Sequence, residues 1–332
     1  MSKHVTLAHG NGGRFMRELI DEVFLKTLGA AAPDATLDAA GVDLNGGDAV
    51  VTTDGFTVQP LEFPGGDLGA LAVHGTVNDL AVAGAEPRFL TLSVILEEGF
   101  EIATLLRLMA SFAESARVMG VSVAAGDTKV VPRGYGGGAY FSVAGIGVRA
   151  RTGLGLRAIR PGDRLLVSGP IGDHGIAVML AREDFDLKGT VASDCGSVLG
   201  LCRALWGLEG LRFLRDPTRG GLASVFHEIA AGAGLGLRLR EPDIPVRPQT
   251  SSVCEILGYD PAYLACEGSA VAVVAEEEAE AALSHWRDLP EGRDAALIGR
   301  VEETAPRVVL ETEIGGERSL EELEDDPLPR IC

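Results

Sequence analysis

The sequence has 332 residues, which is enough for two domains of about 150 residues each. Its 29 Lys and Arg residues face 48 Asp and Glu residues, and the formal net charge is −19. This excess of acid argues against binding to nucleic acid or docking on an anionic membrane, because both need a basic face. Apolar residues make up 46% of the chain and 44 residues are glycine, which favours a compact α/β protein with many tight turns.

The chain has no evident export or membrane signal. Its first residues lack the apolar core of a secretory signal, and no apolar run approaches the ~18 residues of a membrane-spanning helix. The five cysteines, at 195, 202, 254, 266 and 332, form neither a CxxC pair nor a disulfide framework. We therefore expect a cytoplasmic protein in which the first four are small buried hydrophobes.

In the first half, short β-branched runs alternate with longer helical runs. Strands are predicted over 50–53, 89–96, 121–125 and 141–148, and helices over 68–85 and 102–119, with Gly120 capping the second helix. Asp54-Gly55 and Gly126-Asp127 are predicted to be turns that end the strands before them. Aspartates therefore recur at predicted strand ends.

The pattern restarts after Arg157, at Pro161-Gly162-Asp163. We predict an N-terminal domain over 1–155, a C-terminal domain over 156–312 and an extended tail over 313–332. Strands are predicted over 164–168, 236–239, 270–274 and 307–310, and helices over 197–206 and 221–233. The tail is acidic, and Pro327 and Pro329 forbid a helix near its end.

Four aspartates are candidate ligands of a nucleotide-bound metal: Asp48, Asp54, Asp79 and Asp127. Mg²⁺ uses few protein carboxylates and bridges to phosphates, so a distributed acidic set suits it. Helix capping and turn formation explain Asp54 and Asp127 equally well. They explain Asn78-Asp79 poorly, because an aspartate in an apolar helix is costly to bury without a partner.

Two glycine-rich segments could bring backbone N–H groups close to phosphates. The segment His9-Gly10-Asn11-Gly12-Gly13 lacks the lysine and spacing of a P-loop, and it is also typical of a flexible turn. The segment Asp216-Pro217-Thr218-Arg219-Gly220-Gly221 precedes a predicted helix, and Arg219 adds a fixed positive charge. An N-capping turn with an exposed arginine is the alternative for this second segment.

Gly126-Asp127-Thr128-Lys129 places a lysine beside an aspartate at the end of a predicted strand. A lysine there can act as a point donor to a phosphate or carbamoyl oxygen. A solvated surface lysine is an equally good interpretation of the segment by itself.

Cys332 is the last residue of the sequence, after Pro329-Arg330-Ile331. A prenylation signal needs three residues after its cysteine, so this ending does not match one. A terminal thiol is open and mobile, which suits a nucleophile or carrier, although a cysteine without a function is the alternative. The nearby α-carboxylate disfavours the thiolate, so a carrier thiol must be activated in a docked site.

Taken together, these segments resemble the HypE family of hydrogenase maturation factors, which has the two-domain AIR-synthetase-related (PurM-like) fold. The likeness covers essentially the whole chain, and the ending Pro329-Arg330-Ile331-Cys332 is its most specific part. The other matching segments are the two glycine-rich segments, Phe63-Pro64-Gly65-Gly66-Asp67, Asn78-Asp79-Leu80-Ala81, Gly84-Ala85-Glu86-Pro87-Arg88, Gly126 to Val131 and Gly172-Asp173-His174-Gly175.

The resemblance implies an α/β N-terminal domain that forms a homodimer, an α+β C-terminal domain, and ATP with Mg²⁺ between them. The implied ATP-binding residues are Asn11, Gly12, Gly13, Asp54, Asn78, Asp79, Asp127, Thr128, Arg219 and Gly220. The implied metal ligands are Asp48, Asp54, Asp79 and Asp127. Several relatives carry two adjacent acids where this chain has Gly47-Asp48, so this ligand set departs from the family pattern.

The resemblance also implies a reaction and its partners. A HypF carbamoyltransferase delivers a carbamoyl group to Cys332, ATP phosphorylates the carbamoyl oxygen, and loss of phosphate leaves a thiocyanate. The cyano group then passes to iron on a HypC–HypD complex. Removing the protons of the carbamoyl nitrogen needs a base, and we assign this role to Glu267, paired with Lys129.

Two other functions remain open from the sequence. An ATP-dependent kinase or synthetase of the same fold, acting on a free small molecule, would keep its activity without Cys332. An acidic scaffold or metal chaperone would use Cys332 and histidines as soft ligands, but the scattered cysteines have no coordination spacing.

Overall fold

The computed structural model of the chain describes residues 13–19, 21, 39–43, 48–182 and 191–323. They form a five-stranded sheet between residues 40 and 149, and a seven-stranded sheet between residues 164 and 319. The predicted domain boundary near residue 155 falls between these sheets, and the exact boundaries stay a prediction. Both halves contain helices and a sheet, which agrees with the two-domain α/β and α+β architecture that the resemblance implies.

The first sheet has the strand order β1-β2-β7-β5-β6. Neighbouring strands are antiparallel except for β5 and β6, which are parallel. The strands are β1 (Ala40–Asp43), β2 (Asp48–Phe56), β5 (Ala85–Glu97), β6 (Ser122–Val131) and β7 (Ala139–Arg149). A short hairpin of β3 (Glu62–Phe63) and β4 (Gly66–Asp67) precedes the first long helix. Strand β6 therefore lies at an edge of the sheet.

Helices cover one face of the first sheet. These helices are α2 (Leu68–Val82) and α3 (Ile102–Met119), and α3 provides the crossover that the parallel pair β5 and β6 requires. The short α1 (Arg14–Leu19) contacts the C-terminal half instead, where the N–H of Arg14 donates to the carbonyl oxygen of Leu323 at 3.0 Å. Along β5, Leu90 and Leu92 are buried, whereas Phe89 and Ile95 are 47% and 37% exposed. Because side chains alternate along a strand, the face that carries Phe89 and Ile95 is open.

Helix α2 begins and packs through two local features. Asp67 caps it by accepting a hydrogen bond from the backbone N–H of Ala70 at 2.9 Å. Gly69 allows α3 to approach closely, since a Cβ atom there would lie 2.0 Å from the carbonyl oxygen of Leu108. These features fix the helix that carries Asn78 and Asp79.

The second sheet has the strand order β14-β13-β10-β12-β8-β11-β9, and only β10 and β13 are parallel. Its strands are β8 (Arg164–Val167), β9 (Leu211–Arg215), β10 (Gly236–Arg240), β11 (Val271–Val274), β12 (Ala296–Glu302), β13 (Val308–Glu311) and β14 (Glu317–Ser319). Its helices are α4 (Asp173–Ala181), α5 (Leu199–Leu205), α6 (Gly221–Ala233), α7 (Pro248–Leu257) and α8 (Ala279–Arg287).

The two domains share one apolar core. Leu71 and Val77 of α2 belong to the same buried cluster as Leu201 and Leu205 of α5. Burying apolar area across this junction holds the two sheets in a fixed relation. Residues at the junction therefore meet as in a single domain.

Two predicted turns are strand interiors, so these predictions were wrong. Strand β2 continues through Asp54-Gly55 to Phe56, and β6 continues through Gly126-Asp127 to Val131. In both places a long ladder of backbone pairs with the neighbouring strand outweighs the turn preference of Asp-Gly and Gly-Asp. The predicted helix over 68–85 also ends earlier, at Val82.

The first part of the predicted tail is anchored on the C-terminal domain. Strand β14 pairs with β13, and the backbone N–H of Leu320 donates to the carbonyl oxygen of Val308 at 3.0 Å. His227 Nε2 lies 2.8 Å from the carbonyl oxygen of Leu320, and Tyr263 donates to that of Glu321 at 2.8 Å. Residues 317–321 of the predicted tail are therefore held against the C-terminal domain, and the boundary at residue 313 stays a prediction.

Three of the cysteines expected in the core are buried, namely Cys202, Cys254 and Cys266, while Cys195 is half-buried. Across the described ranges, none of the helices combines the length and apolar character needed to cross a membrane.

Candidate active site

Four carboxylates from both domains gather at the domain junction. The N-terminal domain supplies Asp54 on β2 and Asp79 on α2. The C-terminal domain supplies Asp216, directly after β9, and Glu267, in the loop before β11. The charge of Asp54 acts on the other three, so the four form one electrostatic unit, which we call the acid cluster.

Strand and helix positions bring Asp54 and Asp79 together. Asp54 lies on the helix-covered face of the sheet, beneath α2, and accepts the N–H of Gly55 at 2.7 Å. Thr52, two residues earlier on the same face, donates its hydroxyl to Asp79 Oδ2 at 2.7 Å. Burial raises the pKa of Asp54, while Arg219 opposes the rise. Asp54 and Asp79 therefore lie close enough for the charge of Asp54 to act on Asp79, and their role as ligands stays a prediction.

The loop from Asp216 to Gly221 brings the C-terminal acids to the same place. The carbonyl oxygen of Pro217 accepts the N–H of Cys266 at 3.0 Å, which holds the neighbouring Glu267 beside this loop. Gly221 has φ 57°, and a Cβ atom there would lie 2.5 Å from the carbonyl oxygen of Leu264. Glycine is thus required for the loop to approach the backbone that carries Glu267.

Arg219 and Gly220 complete this loop at the start of α6. Arg219 is exposed, and its positive charge acts on Asp54, Asp79 and Glu267. Gly220 adopts the left-handed conformation with φ 74° as the N-cap of α6. The loop therefore presents a cation and a helix N-terminus beside the acid cluster.

The acids raise one another's pKa. Burial, followed by the charges of Asp216 and Asp54, raises the pKa of Asp79 well above its ordinary value. Burial raises the pKa of Asp216 to about 6, and Asp54 adds to the rise. Burial, followed by the charge of Asp216, raises the pKa of Glu267 well above its ordinary value. The site thus carries more negative charge than its own groups neutralise.

Asn78 joins the two domains. Its side-chain Nδ2 donates to the carbonyl oxygen of Gly196 at 3.0 Å and to that of Glu267 at 3.5 Å. Its Oδ1 accepts the N–H of Val198 at 2.8 Å, and the residue is 1% exposed. The predicted contact of Asn78 with ATP stays a prediction, and its described bonds hold the Glu267 loop against α2.

Asp127, Thr128 and Lys129 lie away from the acid cluster of the same chain. Asp127 pairs with Ser93 across the β5–β6 ladder and so points to the open face of the sheet, opposite to Asp54. Three strand spacings also separate β6 from β2, or roughly 14 Å. Lys129 lies 3.1 Å from Asp127 Oδ2, and all three residues are exposed.

Asp48 is also apart from the cluster within one chain. It lies six residues before Asp54 on β2, a separation of roughly 20 Å along the strand. Its Oδ1 accepts a hydrogen bond from Arg149 Nε at 3.1 Å. One metal ion therefore cannot bind both Asp48 and Asp54 of one chain.

The residues of the acid cluster fit Mg²⁺ with a nucleotide. Among the described residues, no three His, Cys, Asp or Glu side chains are grouped closely enough to form a complete metal site. Mg²⁺ needs only one or two protein carboxylates when phosphates and waters supply the other ligands. Burial, and after it the charges of neighbouring acids, raise the pKa of Asp79 and Asp216, and a cation bound here would offset this negative charge.

Three predicted residues, Asn11, Gly12 and Cys332, lie outside the described residues. Gly13 is buried and precedes α1, where its carbonyl oxygen accepts the N–H of Arg17 at 3.2 Å. Asp216, although part of a motif noted in the sequence, was not chosen as a ligand. Its position directly after an apolar strand and before Pro217 was the available signal.

The sequence matches one family in two successive parts. Residues 36–149 match the description "AIR synthase related protein, N-terminal domain", and residues 160–311 match "AIR synthase related protein, C-terminal domain".

Similar proteins of known name cover the whole chain. Carbamoyl dehydratase HypE of Azotobacter vinelandii is 46% identical over 332 residues, covering 99% of this chain and 97% of the relative. Carbamoyl dehydratase HypE of Escherichia coli is 42% identical and covers 99% of both chains.

Solved structures have the same fold. A HypE-HypF complex contains a chain with a TM-score of 0.85 and 42% identity, covering 92% of this chain and 99% of that one. A HypE in complex with ATP has a TM-score of 0.81 and 42% identity, covering 99% and 100%. A ThiL complexed with AMPPCP and TMP has a TM-score of 0.70 at 21% identity, which indicates a shared fold alone.

We expect the stability of the metal-free protein to depend on pH through Asp216. Folding raises the pKa of this carboxyl from 3.8 to about 6, so the folded chain holds its proton to higher pH than the unfolded chain. The free energy of unfolding should therefore fall as pH rises through this range, by up to about 3 kcal/mol. Asp216→Asn should remove this contribution, as measured by urea unfolding at several pH values without divalent cations.

The control is Glu313→Gln, which changes net charge equally at an exposed position. The prediction would be contradicted if the free energy of unfolding fell as steeply with rising pH in Asp216→Asn as in the control.

Proposed function

We propose that this chain, which belongs to the AIR synthase related family and within it to the HypE carbamoyl dehydratases, dehydrates a carbamoyl group on the thiol of Cys332. The reaction uses ATP and yields a thiocyanate, which supplies a cyanide ligand to the iron of a [NiFe]-hydrogenase. The observation that carries this assignment is the acid cluster, which joins both domains in a chain 46% identical to a named carbamoyl dehydratase.

ATP is the energy source of the reaction. A similar protein has been solved with ATP at 42% identity, and the buried acids beside Arg219 suit the phosphates of a metal-bound nucleotide. We propose that Asp54, Asp79 and Asp216 hold Mg²⁺. The ion would neutralise phosphate charge during phosphoryl transfer. Arg219 and the backbone around Gly220 are placed to bind phosphate oxygens.

Glu267 suits the role of the base. The carbamoyl oxygen first receives the γ-phosphoryl group, which makes it a good leaving group. The carbamoyl nitrogen then loses its two protons, the C–O bond breaks, and phosphate leaves as the C≡N bond forms. Burial and the charge of Asp216 raise the pKa of Glu267, so its carboxylate is a stronger base than an exposed glutamate.

The anchored part of the tail supports delivery of Cys332 to this base. The side chain of Leu323 borders the Asp216 loop, because a Cβ atom on Gly220 would lie 3.3 Å from its Cδ2. Cys332 follows nine residues later, and an extended segment of this length reaches roughly 30 Å. That reach is sufficient for the thiol to enter the junction that contains Glu267.

We further propose a homodimer in which the second copy supplies Asp127 and Lys129. Both residues are exposed on the edge strand β6 and point to the open face of the sheet. Apolar side chains on the same face, Phe89, Ile95 and Val148, are 47%, 37% and 49% exposed. Packing two such faces together buries this apolar surface and carries each lysine toward the other chain.

The carbamoyl donor and cyanide acceptor are separate proteins. A similar protein has been solved in a HypE-HypF complex, which supports a HypF-like carbamoyltransferase as the donor. We propose a HypC–HypD complex as the acceptor that carries the iron. A cytoplasmic location stays a prediction from the sequence.

The other two functions have less support. The ThiL that shares the fold is only 21% identical, whereas named carbamoyl dehydratases are 42% to 46% identical along the whole chain. The metal-chaperone alternative finds no three-ligand group among the residues that the structure describes.

Removing the base should trap the carbamoyl adduct. We expect intact mass spectrometry, after incubation with ATP, Mg²⁺, carbamoyl phosphate and a HypF partner, to show a cyano adduct on the wild-type protein. Glu267→Gln should instead accumulate the carbamoyl adduct, because proton removal is lost, with a rate loss of about hundredfold or more. Cys332→Ala is the control that should carry neither adduct. A cyano adduct formed by Glu267→Gln at the wild-type rate would contradict the assignment of the base.

Mixing two inactive variants tests the shared site. If Lys129 acts on the partner's site, Lys129→Ala and Glu267→Gln subunits should complement each other after exchange and restore about a quarter of the wild-type activity. Each variant should show little activity separately. Native mass spectrometry verifies that hybrid dimers have formed. If such a mixture recovers no activity, either both residues act in the site of one chain or Lys129 has no role.

A further inference from the structure

Segment 193–198 lies between the two domains and contacts both. On one side, the N–H of Ser193 donates to the carbonyl oxygen of Pro64 at 2.8 Å, and a Cβ atom on Gly65 would lie 2.6 Å from the carbonyl oxygen of Ser193. The Ser193 hydroxyl lies 2.8 Å from Nδ1 of His174. The segment is thus fixed to the motif 63–67 and to the motif 172–175.

On its other side, the segment holds the loop that carries Glu267. Asp194 Oδ1 accepts the N–H of Glu267 at 3.1 Å, and Oδ2 accepts the N–H of Gly268 at 3.1 Å. The hydroxyl of Ser269 lies 3.3 Å from the same Oδ2. One carboxylate therefore receives three successive donors of the loop.

Close backbone contacts hold the loop that carries Glu267 in one position. A Cβ atom on Gly268 would lie 1.9 Å from the carbonyl oxygen of Asp194, so the two backbones touch. The N–H of Gly196 donates to the carbonyl oxygen of Glu267 at 3.2 Å, and Asn78 from α2 reaches the same oxygen. The backbone of Glu267 is therefore bonded through both its N–H and its carbonyl group.

We propose that Asp194 is a positioning residue, which fixes the loop so that the side chain of Glu267 faces the acid cluster. The proposal rests on the proposed function of Glu267 as the base. A carboxylate suits this position because it accepts hydrogen bonds only, and all three groups that face it are donors. An amide in its place would aim an NH₂ group at backbone N–H donors.

This role accounts for the presence of an aspartate next to other acids. Burial raises the pKa of Asp194 to about 6, and the N–H groups of Glu267 and Gly268 act in the opposite direction. Burying a carboxylate beside Glu267 costs free energy that packing contacts by themselves do not offset. Its hydrogen bonds to the loop are the compensating interaction.

The test compares Asp194→Asn with Asp163→Asn. Asp163 is a buried aspartate of the same domain that accepts the N–H of Arg160 at 2.8 Å and lies 3.8 Å from Arg212, so it controls for lost stability. Asp194→Asn should lower the single-turnover rate of cyano-adduct formation by about tenfold to hundredfold, since small misplacements of a reacting group have effects of this size. The KM for ATP should stay within about twofold.

A double-mutant cycle then separates positioning from general damage. Glu267→Asp keeps a base but shortens it, so a measurable rate should remain. If Asp194 acts through Glu267, the double variant Asp194→Asn/Glu267→Asp should lose much less than the product of the two single losses. Ser269→Ala removes one of the three donors and should lower the rate less than Asp194→Asn does. Combined with Glu267→Asp, it should also lose less than the product of the two single losses. This second cycle replaces the first if Asp194→Asn fails to fold.

The proposal would be overturned if the rate losses multiplied in both cycles. It would also be overturned if Asp194→Asn lowered the rate no more than Asp163→Asn does. Failure of the proposed function has a different signature, because Glu267→Gln itself would then form the cyano adduct at the wild-type rate.

Discussion

The gathering of Asp54, Asp79, Asp216 and Glu267 at one junction is the constraint that the rest of the structure has to satisfy. Like charges in a buried place repel, and burial with the neighbouring acids raises the pKa of Asp79 and Glu267 well above their ordinary values. Such a cluster is unfavourable unless positive charge offsets it, and in the proposed function a nucleotide-bound cation would supply that charge. The apolar core shared by α2 and α5 provides the burial energy that holds the domains, and so the acids, together.

The elements around the cluster serve its geometry in different ways. The glycines of the Asp216 loop permit contact between backbones, and Asn78 connects α2 to the loop that carries Glu267. Leu323, in the anchored segment 320–323, lies beside Gly220 of the Asp216 loop. In contrast, Lys129 lies on the open face of the first sheet, away from Glu267 of the same chain. The proposed homodimer would bring the lysine of one chain to the Glu267 of the other.

Much of this arrangement could be predicted from local patterns. Asp79 is conspicuous as an acid in an apolar helix, and the two-domain fold follows from the repeated alternation of strands and helices. Asp54 and Asp127 look alike in sequence, yet strand register places them on opposite faces of one sheet. The role of Asp194 depends on contacts 73 to 75 residues along the chain, for which no local pattern exists. The face of the sheet on which each aspartate lies, and the contacts of Asp194, therefore depend on long-range pairing that local sequence patterns do not reveal.

The central claim is that the acid cluster binds ATP through a divalent cation. Isothermal titration of ATP into the protein, with Mg²⁺ and then with a chelator, tests it most directly. The account predicts that Mg²⁺ strengthens ATP binding by about tenfold or more, which corresponds to at least about 1.4 kcal/mol. Asp79→Asn should reduce this gain, while the exposed control Glu313→Gln should keep it. Equal affinity for ATP with and without Mg²⁺ in the wild-type protein would contradict the account.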